Sequence, residues 1–141
     1  MEIEVQVKAV VTDSHKDHIV LLEDLEKTKI LPIWIGPIEA QAIAMPLQDE
    51  YTLQPLTHDL LKKICDELKG EVCKVIIKDI NSQGTYIAEV HLQFVNEYRV
   101  LDSRPSDAIA LALRATAPIF ISIKLIEFTL NPDSLNLRSS D

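Results

Sequence analysis

Three groups of polar residues stand where helices are expected to begin, and between them they hold the side chains that hydrolytic chemistry uses. Glu39 follows Gly36-Pro37, His58 and Asp59 follow Thr57, and the third group is Asp102-Ser103-Arg104-Pro105-Ser106-Asp107. An arginine in a first helical turn opposes the positive end of the helix dipole, so Arg104 requires an anionic partner, either a neighbouring carboxylate or a bound phosphate. The imidazole of His58 could act as a general base or a ligand. The carboxylates of Glu39, Asp102 and Asp107 could hold Mg²⁺ or Mn²⁺ if the fold brings their helix starts together. Each group also has a purely structural reading. Arg104 could pair internally with Asp107 or Asp102, Thr57 could be an N-cap with Asp59 complementing the dipole, and Glu39 could complement the dipole of its own helix.

The hydrophobic pattern marks out the elements that must position these side chains. Ile3, Val5, Val7, Ala9 and Val11 alternate with mostly polar residues, the period of a strand buried on one face. Ile19 to Leu25 and Lys29 to Ile35 predict two further strands, and Pro32 lacks a ladder donor, which places the third at an edge or a bend. Gly36-Pro37 begins a helix expected to end before Pro46, and residues 46 to 56 read as an exposed loop. With Thr57 as N-cap, Leu60, Leu61, Ile64 and Leu68 follow at helical spacing up to a stop at Gly70. Val72 to Ile80, Thr85 to Phe94 and Tyr98 to Leu101 predict an antiparallel meander because their connections are short. The run from Ala108 to Leu113 is apolar on all sides, which suits a central helix or a subunit contact. Pro118 to Ile121 predicts a last short strand, with a helical turn near Leu125. The expected fold class is α+β: a single compact domain over residues 1–130, mostly antiparallel or mixed sheet with about three inserted helices, followed by a polar tail over 131–141.

A chain of 141 residues with 47% hydrophobic and 26% charged side chains can hold one core without a disulfide or a metal. Lys and Arg number 14 against 22 Asp and Glu, and the net charge of −8 opposes nonspecific affinity for nucleic acid or an anionic membrane. No apolar run approaches the roughly 18 residues of a spanning helix. Met1-Glu2-Ile3-Glu4 alternates charge where a signal peptide would be basic and then apolar, so a cytoplasmic protein with no membrane partner is expected. Cys65 and Cys73 lack CxxC spacing and read as two buried reduced thiols. His15, His18 and His91 have no companion at ligand spacing and read as surface or pairing residues. Motifs for a nucleotide-binding loop, a zinc protease, a serine hydrolase or an EF-hand are absent.

Three blocks carry a resemblance. These are Leu31-Pro32-Ile33-Trp34-Ile35-Gly36 with Glu39, Leu56-Thr57-His58-Asp59-Leu60-Leu61, and Asp102-Ser103-Arg104-Pro105-Ser106-Asp107-Ala108-Ile109. In this order, over the stretch from Ile19 to Ile121, the chain resembles the bifunctional nuclease family, small bacterial proteins and plant relatives that act on DNA and RNA. The resemblance implies a mixed α+β domain that self-associates, with DNA, RNA or a nucleotide as partner and the polar residues of the blocks as site residues. From the three polar helix starts themselves a mechanism is expected if the fold brings them together: Glu39, Asp102 and Asp107 hold Mg²⁺ or Mn²⁺, Arg104 contacts phosphate, and His58, with Asp59 and Asp107 beside it, orients or deprotonates water. The family commonly carries a basic residue where this chain has Gln54 and a glycine where it has Thr116. The alternative is a non-catalytic oligomeric binding or regulatory module, which the net charge favours.

Overall fold

The computed structural model describes residues 1–135. The strands are β1 (Glu2–Thr12), β2 (His18–Asp24), β3 (Ile30–Ile35), β4 (Glu71–Ile80), β5 (Tyr86–Gln93), β6 (Tyr98–Ser103) and β7 (Ile119–Ser122). They form one sheet in the order β3-β2-β1-β7-β4-β5-β6. Short turns fold β1–β2–β3 and β4–β5–β6 into two antiparallel meanders. β7 enters last and joins them, antiparallel to β1 and parallel to β4. Three helices are inserted: α1 (Pro37–Leu47) and α2 (Thr57–Glu67) between the meanders, and α3 (Pro105–Ala115) between β6 and β7. The expected α+β class and single domain hold.

α3 lies at the centre, against α1, α2, β4 and β5. Its run of small apolar residues explains the position. Ala108, Ile109, Ala110 and Ala112 are all fully buried, and alanine lets the helix axis approach its neighbours closely. They pack with Ile43 of α1 and with Val20, Leu22, Leu31, Ile33, Val75 and Ile77 of the sheet. Ile19, Leu21 and Ile30 form a smaller cluster with Val11, so β2 is buried through both faces. Pro32 sits in an edge strand as expected. Ile30 exchanges main-chain hydrogen bonds of 2.8 and 2.7 Å with Leu130 on the outer side of β3, so the neighbouring same-phase Pro32 omits its N–H where no β2 partner needs it.

Several local expectations need correction. α1 runs through Pro46 to Leu47. Leu56, not Thr57, is the N-cap of α2, and leucine has no side-chain acceptor. The cap is made in reverse, with Leu56 N–H donating to Asp59 Oδ2 at 3.0 Å. The left-handed residue that ends α2 is Lys69, with φ 60°, rather than Gly70. Gly70 is small for another reason: a Cβ there would lie 2.5 Å from the Phe94 ring. Cys65 and Cys73 are free thiols as expected, but half-buried rather than buried. Thr116 is the C-cap of α3 and adopts φ 53°, ψ 41°, a strained conformation for a β-branched residue. The expected turn at Leu125 is a 3-10 helix over Ile123–Phe128. Within the expected polar tail, Pro132–Leu135 form another 3-10 turn, and 136–141 lie outside the described residues.

Candidate functional site

The first turns of α1, α2 and α3 meet at one guanidinium. Arg104, the N-cap of α3, reaches forward along its own helix to Asp107, with Nε donating to Oδ2 at 2.8 Å and Nη2 to Oδ1 at 3.1 Å. Its Nη1 donates to Glu39 Oε2 of α1 at 3.1 Å. His58 of α2 closes the group, with Nε2 lying 2.9 Å from Asp107 Oδ1. Glu39 can fold back over the start of α1 because Gly36 leaves room: a Cβ at that position would stand 2.3 Å from Glu39 Oε1. Both readings of Arg104 therefore apply in part. It is internally paired, yet its side chain is 62% exposed and three of its five N–H donors make these bonds.

The electrostatics follow from this geometry. The hydrogen bonds from Arg104 hold the Asp107 carboxyl below the usual range, against the opposing effect of burial, and His58 adds to the depression. The same pairing with Asp107, and then with Glu39, raises Arg104 further above its ordinary value. Since an ionised carboxylate only accepts, the His58–Asp107 bond places a ring proton on Nε2, and in the neutral imidazole the lone pair is then on Nδ1. Among the described residues Nδ1 of His58 has no hydrogen-bond partner.

Two clefts open on either side of Arg104. One of about 390 Å³ lies between the end of β3 and the start of α3, with Gly36, Glu39, Tyr86 and Arg104 in its wall. The other, of about 700 Å³, is lined by Leu61, Ile64, Leu92 and Phe94, with His58, Arg104 and Asp107 at its polar end.

The remaining sequence-predicted residues fall elsewhere. Asp59, next to His58 in the chain, turns to Arg114: Nε of Arg114 donates to Asp59 Oδ1 at 2.6 Å. Burial alone would raise the Asp59 carboxyl, but the Leu56 N–H and the Arg114 guanidinium outweigh it and lower the pKa. Asp102 is exposed, lies opposite Glu89 in the β5–β6 ladder, and lends its charge to Lys78. It does not join Glu39 and Asp107. Both oxygens of Asp107 are engaged, and among the described residues no group of three His, Cys, Asp or Glu side chains is placed to hold a metal ion. As arranged, this donor set does not fit Mg²⁺ or Mn²⁺.

The family model for the bifunctional nuclease domain matches residues 20–131. The chain belongs to the bifunctional nuclease family. Two uncharacterized proteins of Mycobacterium tuberculosis, from strains CDC 1551 and H37Rv, are each 39% identical over 103 residues, covering 73% of this chain and 60% of theirs. Bifunctional nuclease 2 of Oryza sativa subsp. japonica is 29% identical over 101 residues, 70% of this chain and 30% of its own. The chain thus matches 60% of the length of the two mycobacterial relatives and 30% of the rice one. Among its described residues, no helix is long and apolar enough to cross a membrane.

Sequence reasoning passed over Arg114. Its side chain is only 8% exposed, and besides Asp59 it donates through Nη1 to Ala42 O at 2.8 Å and to Ala110 O at 3.0 Å. A basic residue in the last turn of a helix reads as ordinary dipole complementation, which hides the role. Removing it would leave a carboxylate and a carbonyl short of partners, at a cost of about 2–4 kcal/mol.

Proposed function

We propose that this chain hydrolyses phosphodiester bonds of DNA or RNA where its two clefts meet at Arg104. The observation that carries the reading is a largely exposed guanidinium, aimed by two carboxylates and standing beside a histidine whose proton is held by one of them. His58 Nδ1 takes a proton from water as the water oxygen bonds to phosphorus. The bond from phosphorus to the leaving nucleoside oxygen breaks, and that oxygen takes a proton from solvent. The Arg104 donors outside the Glu39 and Asp107 bonds face the phosphoryl oxygens, where charge builds in the transition state. Asp107 holds the imidazole tautomer, Glu39 steadies the guanidinium, and Asp59 acts through the start of α2. No step runs through a metal. Membership of the bifunctional nuclease family and the name of the rice relative, bifunctional nuclease 2, support the substrate class.

The test is cleavage of labelled single-stranded DNA and RNA by protein purified away from host nucleases. His58→Ala and Asp107→Ala should lower it by about 10²–10⁴-fold, and EDTA should leave it intact. Loss in EDTA would return Glu39 and Asp107 to the role of metal ligands, with Arg104 displaced.

A second reading, a non-catalytic binding module, is favoured by one observation: Arg104 is already matched by two carboxylates in a chain of net charge −8. Oligonucleotide binding measured by anisotropy without turnover would select it. In either case we infer self-association, supported by β6 and α2. β6 is an edge strand with Val100 and Leu101 half exposed, and α2 has no buried residue although Leu60, Leu61, Ile64 and Leu68 line up on it. Sedimentation velocity tests this, and a monomer at all concentrations would refute it.

A further inference from the structure

A proline inside α1 and an arginine at the far end of α3 answer each other. Pro46 has no N–H, so the carbonyl of Ala42, one turn earlier, is denied its helical partner. That carbonyl accepts instead from Arg114 Nη1 at 2.8 Å. The same Nη1 donates to Ala110 O, one turn back in α3, and Nε to Asp59 Oδ1 in the first turn of α2. One nearly buried side chain thereby ties together the three helices whose first turns carry Glu39, His58 and Arg104 with Asp107.

We propose that Arg114 is a positioning residue of the site, setting the His58–Asp107 hydrogen bond by locking the first turn of α2 against α1 and α3. The path is short. Asp59 is adjacent to His58, and its second oxygen accepts from Leu56 N–H, so its carboxylate bridges Arg114 to the main chain where α2 begins. Releasing Asp59 frees that turn to rotate, and the imidazole moves with it. A hydrogen bond of 2.9 Å between partners 49 residues apart depends on how the first turn of α2 is set against α3, because Arg104 fixes only the Asp107 side of it.

The inference rests on the site described above, but its test does not require turnover. In nitrogen-15-labelled protein, the Nε2–H proton of His58, assigned by its loss in His58→Ala, reports the bond to Asp107 directly. In Arg114→Met the resonance should disappear into exchange with water, and Asp59→Asn, which removes the same contact more gently, should weaken it in a protein that stays folded. Pro46→Ala then separates positioning from bracing. In the Arg114→Met background it restores an N–H for Ala42 and should recover melting temperature, yet leave the resonance absent. Return of the resonance with the melting temperature, or its persistence in Arg114→Met and Asp59→Asn, would reduce Arg114 to a general brace and overturn the proposal. Persistence of the resonance in all variants of a protein that cleaves nothing would remove both readings. Its loss in a non-cleaving protein would remove only the hydrolytic one.

Discussion

Two histidine–carboxylate pairs occur among the described residues, and they differ in what surrounds them. His58 bonds Asp107 across 49 residues of sequence, and His91 bonds Glu89 across two, at 3.1 Å. The second pair lies on the sheet as part of a chain: Lys78 Nζ donates to Glu89 Oε2 at 2.9 Å, and His91 Nδ1 is hydrogen-bonded to the Tyr98 hydroxyl at 2.7 Å. Both nitrogens of His91 are therefore occupied, and strand alternation alone brings Glu89 and His91 to the same face. His58 has one nitrogen held and the other without a partner among the described residues, and it stands beside an exposed arginine at the junction of two clefts. A histidine–carboxylate pair is thus no signature of chemistry by itself. His58 has a second nitrogen without a partner among the described residues and a cleft beside it, whereas His91 is bonded at both nitrogens.

The contrast can be broken most decisively by substitution. His58→Ala or Asp107→Ala should lower cleavage by about 10²–10⁴-fold, the usual contribution of a positioned general base, whereas His91→Ala should change it less than about two-fold. Equal losses would erase the distinction between the two pairs. A subtler change sharpens it: in Gly36→Ala the new Cβ displaces the Glu39 carboxylate from above the helix start and loosens its bond to Arg104. Cleavage should fall about ten-fold with little change in melting temperature, because a small misplacement costs more in rate than in stability.

Acid should act on both pairs. The folded-state pKa values of Asp107 and Glu89 are lowered, chiefly by hydrogen bonds from Arg104 and Lys78 respectively. Each contributes stability that is fully present above the unfolded carboxyl pKa of about 4 and is lost as pH falls through the folded value. Urea titrations between pH 5 and pH 2 should show a shallower loss for Asp107→Asn and for Glu89→Gln than for the parent chain. The smallest expected effect lies outside both pairs. Thr116→Gly relieves a left-handed backbone angle and should stabilise the fold by about 1 kcal/mol without altering cleavage.

Much of the frame was readable in advance. The alternating run that became β1, the strand-like runs with short connections that became β4 and β5, and the apolar run that became central α3 were legible in the order of Ile, Val, Leu and Ala along the chain. The caps were less readable, because they depend on competition between neighbours. Asp59 could cap α2 from within, so Leu56 could occupy the N-cap position that Thr57 was expected to fill. The end of α1 was misjudged because a proline's missing donor matters only if no other group replaces it, and the replacement comes from Arg114, far away in sequence.

For the candidate site, the amino-acid sequence by itself determined the inventory: carboxylates, a histidine and an arginine, each at a helix start, since a first turn is set by residues close in the chain. Which of them meet was decided only by tertiary structure. Packing α3 between α1 and α2 brought Glu39, His58 and Asp107 to Arg104, turned Asp59 towards Arg114, and left Asp102 across from Glu89. Helix starts are local features, whereas the few ångströms that separate a bonded carboxylate from an idle one depend on how buried alanines and isoleucines set the distances between elements.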